Sequence, residues 1–322
     1  MTKTPDSTTP DSTTRTSTTP STPASTPWTI AVLGPGGVGG LVAGLLARAG
    51  HRVICLAREE TAAVLAERGL TVRSGTFGDF TARVQADTEL REPVDALIVA
   101  PKETGLRSAL ERVPREALGA GLVVPLLNGF EHVDVLRGRY PAEQVVPGTI
   151  RVESTRVGPG VIEHGGLSAR IELASSTVPH ARVEAFAEVL RGAGQQVDVL
   201  PDETAMLWGK LSFLLPMALL STRYGVPVGE VRTVHRDRML AVIGEFAEVA
   251  AAQGAPPDVP ALLKFVDAVP EATRSSMQRD AEAGRPIEVD AIGGALLRAA
   301  DRHGIDVPET AALVAEVERL GG

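Results

Sequence analysis

WTIAVLGPGGVGGLVAGLLARAGHRVICLAR, residues 28–58, holds the parts of a β-α-β unit in order. The apolar run Thr29 to Leu33 predicts a short strand, Val38 to Ala49 a helix stopped by Gly50, and Arg52 to Leu56 a second strand. Between the first strand and the helix, Gly34, Gly36 and Gly39 take the G-x-G-x-x-G spacing. In a chain with 33 glycines that spacing alone means little, and the flanking strand and helix supply its physical context. In that context Gly34 permits the tight turn, Gly36 lets backbone approach a pyrophosphate, and Gly39 lets the helix pack close to the strand. Gly37 and Val38 complete the loop, where free N–H groups of the helix N-terminus face phosphates. The competing reading is a glycine-rich turn in an α/β fold without a ligand.

The end of the second strand addresses cofactor choice. An acidic residue there, about 20 positions after the loop, holds a ribose 2′-hydroxyl. Here the chain reads Leu56-Ala57-Arg58, and an arginine suits a 2′-phosphate, so NADPH is favoured, with Glu59 adjacent and a solvated surface arginine as the alternative. Two further buried strands are expected: Val94 to Ala100, leading to Lys102, and GLVVPLLNG, leading to Asn128 and Gly129. Ligands bind outside the carboxyl ends of parallel strands, which makes Lys102 and Asn128 pocket candidates by topology. Strand-like runs Val145 to Val157 and Ala169 to Leu173 are expected to extend the sheet with antiparallel strands, before a helix from Val178 to Leu190.

After Pro201 the pattern turns helical: Glu203 to about Ser221, Val234 to Gln253, Ala261 to Val269, Glu288 to His303 and Glu309 to Leu320, with Pro216 expected to kink the first. The predicted fold is α/β, an N-terminal Rossmann-type domain over 28–201 followed by a mostly α-helical C-terminal domain over 202–322. Residues 1–27, almost wholly Thr, Ser and Pro, read as a disordered tail.

Composition narrows the function. The chain has 322 residues, 43% hydrophobic, enough for two ordinary cores. A net charge of -8 argues against a nucleic-acid or anionic-membrane surface. Cys55 is the lone cysteine, and the six histidines, at 51, 132, 164, 180, 235 and 303, show no ligand pair at helical spacing, so no metal is expected. No apolar run approaches a membrane span and no signal-peptide core is present, which makes the cytoplasm the expected location.

LWGKLSFLLPMALL, residues 207–220, places Lys210 in an apolar segment. An unpaired buried ammonium costs several kcal/mol, so the lysine either snorkels to solvent or has a role. At this point the chain resembles the ketopantoate reductase (2-dehydropantoate 2-reductase) family, from about Thr29 to the C-terminus. The matching pieces come in family order: GPGGVG, Arg58, Pro101-Lys102, Asn128-Gly129, LWGKL around Lys210, GVPVGEV at 225–231, SSMQRD at 275–280 and IEVDAIGGALLRAADRHGIDVPET from Ile287.

The resemblance implies a two-domain reductase passing a hydride from NADPH to the keto carbon of a small 2-oxo acid, the active site lying between the domains; a homodimer is compatible with it. It implies Lys210 as general acid, Glu288 as its partner and substrate anchor, Asn128 and Ser276 as substrate donors, and Lys102 as a neighbour of the nicotinamide. Read without it, Glu288 is a first-turn helix residue, Ser276 a helix cap and Asn128 a strand end. The resemblance breaks where the family carries asparagines four and eight residues after the lysine: here stand Leu214 and Ala218. A less polar 2-oxo acid than ketopantoate, or another carbonyl or imine from a specialised pathway, is therefore expected. The alternative function is a non-catalytic NADP(H)-binding regulator.

Overall fold

The computed structural model describes Met1 and residues 26–320, so the tail expected at 1–27 lies outside the described residues except for Met1, Thr26 and Pro27. Among the described residues, β1 (Thr29–Leu33), β2 (Arg52–Leu56), β3 (Leu70–Ser74), β4 (Phe80–Ala82), β5 (Gln85–Asp87), β6 (Ala96–Val99), β7 (Leu122–Pro125), β8 (Gly148–Gly158), β9 (Val161–Leu173) and β10 (Gln196–Val199) form two sheets.

The first sheet runs β5-β2-β1-β6-β7, parallel throughout, with Ile30 opposite Val53 on one side and Ala96 on the other. β1, β6 and β7 are apolar and almost fully buried because helices or strands cover both faces. The chain leaves β1 for β2 on one side and returns to β6 on the other. This reversal opens a crevice at the carboxyl ends of β1 and β6, where a parallel sheet binds ligands.

Helix Gly37–Arg48, which begins and ends within a residue of its expected bounds, needs burial on more than one side, since Leu41, Val42, Leu45 and Leu46 are all 0% exposed. The second sheet provides it, and here the expected extension of the first sheet is corrected. β8 and β9 do pair antiparallel, but β9 also pairs parallel with β3 and β10, and β3 pairs antiparallel with β4. Only an isolated bridge, Val123 to Val145, links this region to β7. Leu41, Val42, Ile150, Ile162 and Ile171 then share one core between the sheets.

The mostly helical half begins with helix Glu203–Tyr224, the lysine helix. Asp202 caps it, accepting from the Ala205 N–H at 3.0 Å, and Gly225 ends it at φ 69°. It runs unbroken through Pro216 to Tyr224, three residues past its expected end. Counted as a whole helix it is long and apolar enough to cross a membrane, contrary to the reading of the sequence. Its apolar length instead packs with Met239, Phe246, Leu296 and Val314 in a helical core. The helix expected from Glu288 starts one residue later and opens with a π-helical turn, Asp290–Gly294, before Ala295–His303.

Candidate active site

The glycine loop follows β1 at the crevice. Gly34 has φ +81°, and a Cβ there would sit 2.7 Å from the Pro101 nitrogen; one on Gly39 would sit 2.4 Å from the Gly34 carbonyl oxygen. A Cβ on Gly37 would meet the Ser154 carbonyl at 2.3 Å, and the Ser154 hydroxyl donates to the Gly37 carbonyl at 2.8 Å. Gly36 is different: a Cβ there would have nothing closer than 4.0 Å, so space opens beside its backbone. Val38 takes the second position of the helix, which has no acidic residue in its first turn and no side chain capping its N-terminus. Those N–H groups are open to an anion, and the loop fits a pyrophosphate. Arg58 lies exposed at the N-cap of helix Glu59–Arg68, beyond the end of β2 at the same edge of the sheet.

The second cluster lies at the seam between the halves. The Lys210 ammonium donates to the Leu127 carbonyl at 3.3 Å. Its side chain is half-buried, touching solvent locally while lying deep in the protein, as a cleft residue does. Burial lowers its pKa to about 8; the Arg151 guanidinium adds to the fall, and the Glu288 and Glu172 carboxylates oppose it. Near pH 7 the amine holds its proton loosely.

Glu288 is held from two sides. Its Oε1 accepts from the Glu103 N–H at 3.0 Å, after β6, and its Oε2 from the Asn128 Nδ2 at 3.1 Å, after β7. Gly129 makes the second contact geometrically available: it has φ +79°, and a Cβ on it would sit 2.3 Å from the Ala291 carbonyl in the π-helical turn. Backbone therefore meets backbone where the strand end and the start of the Glu288 helix must touch.

Lys102 also crosses the seam, donating to Asp280 at 2.7 Å and to the Pro286 carbonyl at 3.1 Å. Ser276 is the exposed first residue of helix Ser276–Glu282, whose cap is its neighbour Ser275, accepting from the Gln278 N–H at 3.0 Å. Leu214, one turn beyond Lys210, is half-buried and faces the same side of the helix. Ala218 does not share that access: it is 0% exposed within the helical core, so its direct contact with a substrate, expected from spacing, is not available in this arrangement.

Sequence reasoning missed the two backbone partners, Leu127 and Glu103, and three side chains. Asp280 lay within the quoted SSMQRD motif but was given no role. His132 lies five residues after Leu127, 2% exposed; burial, with Lys210 adding, lowers its pKa to about 3, so the ring is neutral. Arg151 was detectable from the alternation in TIRVE at 149–153, which sends Thr149 and Arg151 to one face of β8 and Ile150 to the other. Among the described residues no group of three or more His, Cys, Asp or Glu side chains is arranged to hold a metal.

Comparison with known proteins agrees with this architecture. The family model described as Ketopantoate reductase PanE/ApbA matches residues 30–177, and that described as Ketopantoate reductase PanE/ApbA C terminal matches residues 202–320. The 2-dehydropantoate 2-reductase of Mycobacterium tuberculosis is 32% identical over 297 residues, covering 88% of this chain and 95% of that protein. The PanE/ApbA family ketopantoate reductase of Ralstonia eutropha JMP134 superposes with a TM-score of 0.82 at 28% identity, covering 91% of this chain and 98% of that one. A D-mandelate dehydrogenase solved with NADH and anilino(oxo)acetate also superposes at 0.82, over 91% of this chain and 98% of that one, and at 23% identity it is a likeness of fold.

Proposed function

Since this chain belongs to the ketopantoate reductase family and is an oxidoreductase of CH-OH/C=O groups, we propose that it uses NADPH to reduce the keto carbon of a 2-oxo acid less polar than ketopantoate. The observation that carries this is Lys210: an amine with a pKa of about 8, at a seam where Glu288 and Asn128 meet beside the crevice that follows β1.

The glycine loop would hold the pyrophosphate on the free N–H groups of its helix, with Arg58 on the 2′-phosphate and Lys102 near the nicotinamide. Bound there, the dihydronicotinamide supplies the hydride. Every other task falls to the chain. Lys210 donates a proton from Nζ to the substrate oxygen as negative charge develops on it, and its lowered pKa reduces the cost of that transfer near neutral pH. The Leu127 carbonyl orients the ammonium. Glu288 raises the lysine's proton affinity and is itself fixed by Asn128 and the Glu103 N–H, so the acid is charged before turnover. Ser276, exposed at its helix N-terminus, and Asn128 are assigned to the polar groups of the substrate.

Leu214 carries the substrate reading. It brings an apolar side chain where the family resemblance expects an amide, so a substrate hydroxyl at that point would lose water without gaining a partner. The D-mandelate dehydrogenase solved with NADH and anilino(oxo)acetate, a carboxylate whose neighbouring carbonyl bears a phenyl ring through an amide nitrogen, is compatible with such a pocket in this fold. The enzyme is read as soluble and cytoplasmic. A non-catalytic regulator would require neither Lys210 nor its seam partners, and no observation favours it.

The test is loss of NADPH absorbance when the purified protein meets ketopantoate, pyruvate, phenylglyoxylate and branched 2-oxo acids. Turnover of the apolar acids above ketopantoate is the expected result. No turnover of any of them overturns the reading.

A further inference from the structure

A 2-oxo acid brings a carboxylate into the seam, and something other than Lys210 must meet it, because Lys210 is assigned to the keto oxygen. This inference rests on the function proposed above. Four other cations near the seam are committed elsewhere. Lys102 is held by Asp280 and the Pro286 carbonyl, and Arg285 by Asp280 and the Arg279 carbonyl. Arg279 is held by Glu153 and the Arg274 carbonyl, and Arg298 by Glu131 and Asp290.

Arg151 is placed differently. It stands on β8, a strand against which the lysine helix packs. Ile150 beside it is buried in the core under the glycine-loop helix, so Arg151 projects from the opposite face of the sheet. The start of β8 is pressed on the end of β7, since a Cβ on Gly148 would lie 3.0 Å from the Pro125 carbonyl. Two residues past Pro125 is Leu127, whose carbonyl holds the Lys210 ammonium.

One Arg151 Nη pairs with Glu172 at 2.8 Å, yet the arginine side chain remains 42% exposed. Glu172 is nearly buried and also accepts from the Thr149 hydroxyl at 2.9 Å. A carboxylate paired with one Nη thus orients the guanidinium, and the exposure of the side chain leaves room for a second anion on its five-donor fork. Of the charged side chains around Lys210, Arg151 has the largest electrostatic effect on it. Two cations on packed elements, each acting on the other's charge and each keeping some exposure, are complementary to an anion that binds both.

We infer that Arg151 is the carboxylate anchor of the substrate site, positioned by Glu172 and Thr149, and that it restricts the enzyme to anionic carbonyl substrates. The anchor binds the carboxylate with its fork while Lys210 meets the adjacent keto oxygen. The geometry of a 2-oxo acid, in which these groups are on neighbouring carbons, matches two cations on neighbouring elements.

The experiment compares phenylglyoxylate with its methyl ester, which keeps the carbonyl and the ring but removes the charge. The unmodified enzyme should prefer the acid in kcat/KM by about tenfold to a hundredfold, the range of a charge-assisted hydrogen bond. In Arg151→Gln the preference should fall to near unity through a higher KM for the acid, with NADPH affinity unchanged. A folded Arg151→Gln protein that keeps the preference overturns the assignment. Where that variant does not fold, Arg151→Lys, which keeps a charge beside Glu172, should raise KM for the acid severalfold and leave the ester alone; an unchanged KM overturns it. If the unmodified enzyme reduces no 2-oxo acid, both the function and the anchor fail; if it reduces them and the ratio ignores Arg151, only the anchor fails.

Discussion

The glycine loop takes its shape from consecutive residues, Gly34 to Gly39, whereas the lysine seam draws Glu103, Leu127, Asn128, Lys210 and Glu288 from segments up to 185 positions apart. The loop is constrained by backbone: at Gly34, Gly37 and Gly39 carbonyls and the Pro101 nitrogen leave no room for a Cβ, while Gly36 opens on free space. The seam is constrained by charge, and each of its polar side chains keeps some exposure. A loop of that kind positions a ligand through geometry that a single methyl group destroys. A seam of this kind sets a proton's affinity through groups that can be exchanged one at a time. Damage to the first should therefore appear in cofactor affinity, and damage to the second in turnover and its pH dependence.

The largest effect expected is on the seam. Lys210→Ala should lower turnover about 10²- to 10⁴-fold and leave NADPH affinity within about twofold, read by steady-state kinetics and by fluorescence titration of the cofactor. Equal losses in both quantities would erase the contrast between the regions. Arg58→Ala tests the loop side. NADPH binding should weaken about tenfold to a hundredfold while NADH binding and turnover at saturating cofactor hold, and a folded variant that treats the two cofactors as before would remove Arg58 from the 2′-phosphate.

Gly129→Ala tests a backbone constraint within the seam, since its Cβ would press on the Ala291 carbonyl from a left-handed backbone. It should cost about 1 to 3 kcal/mol of stability and separate Asn128 from Glu288, lowering turnover at temperatures where the protein is still folded. A melting temperature and turnover equal to those of the parent would show that the contact can relax freely.

The pH profile gives a finer test. With Lys210 as the acid and a pKa of about 8, turnover should be flat below that value and decline above it as the amine loses its proton. Burial lowers the lysine's pKa most, Arg151 adds to the fall and Glu288 and Glu172 oppose it, while the nearby His132 ring is neutral. Glu288 raises that pKa, so Glu288→Gln should move the alkaline limb to lower pH as well as weaken substrate binding; a limb that stays put would remove Glu288 from the lysine's electrostatic environment.

Leu214→Asn should have the smallest effect, shifting the ratio of ketopantoate to phenylglyoxylate turnover toward ketopantoate by about threefold to tenfold, the range of one neutral hydrogen bond. The matching change at Ala218 would test stability rather than specificity, because an amide there would be buried at a fully enclosed position. A ratio indifferent to Leu214→Asn would place the substrate's side chain elsewhere in the seam.

Residues 28–58 alone determined the β-α-β unit, because its turn and helix length rest on contacts between near neighbours in the chain. The apolar periodicity beyond Pro201 determined that the second half is helical, and the lysine in an apolar helix marked its own position. Tertiary structure decided the rest. That β8 and β9 belong to a second sheet followed from the need of helix Gly37–Arg48 for cover on its outer face, a requirement invisible in either strand. Likewise, Leu214 and Ala218 are equivalent by spacing from Lys210 yet differ in access, because core packing encloses only one of them. The lysine's pKa of about 8 has the same origin: it reflects loss of water and the charges of Arg151, Glu288 and Glu172, which chain folding brings together from 59, 78 and 38 residues away. Desolvation and Coulomb interaction depend on distance in space, and one-dimensional order carries that distance only for near neighbours.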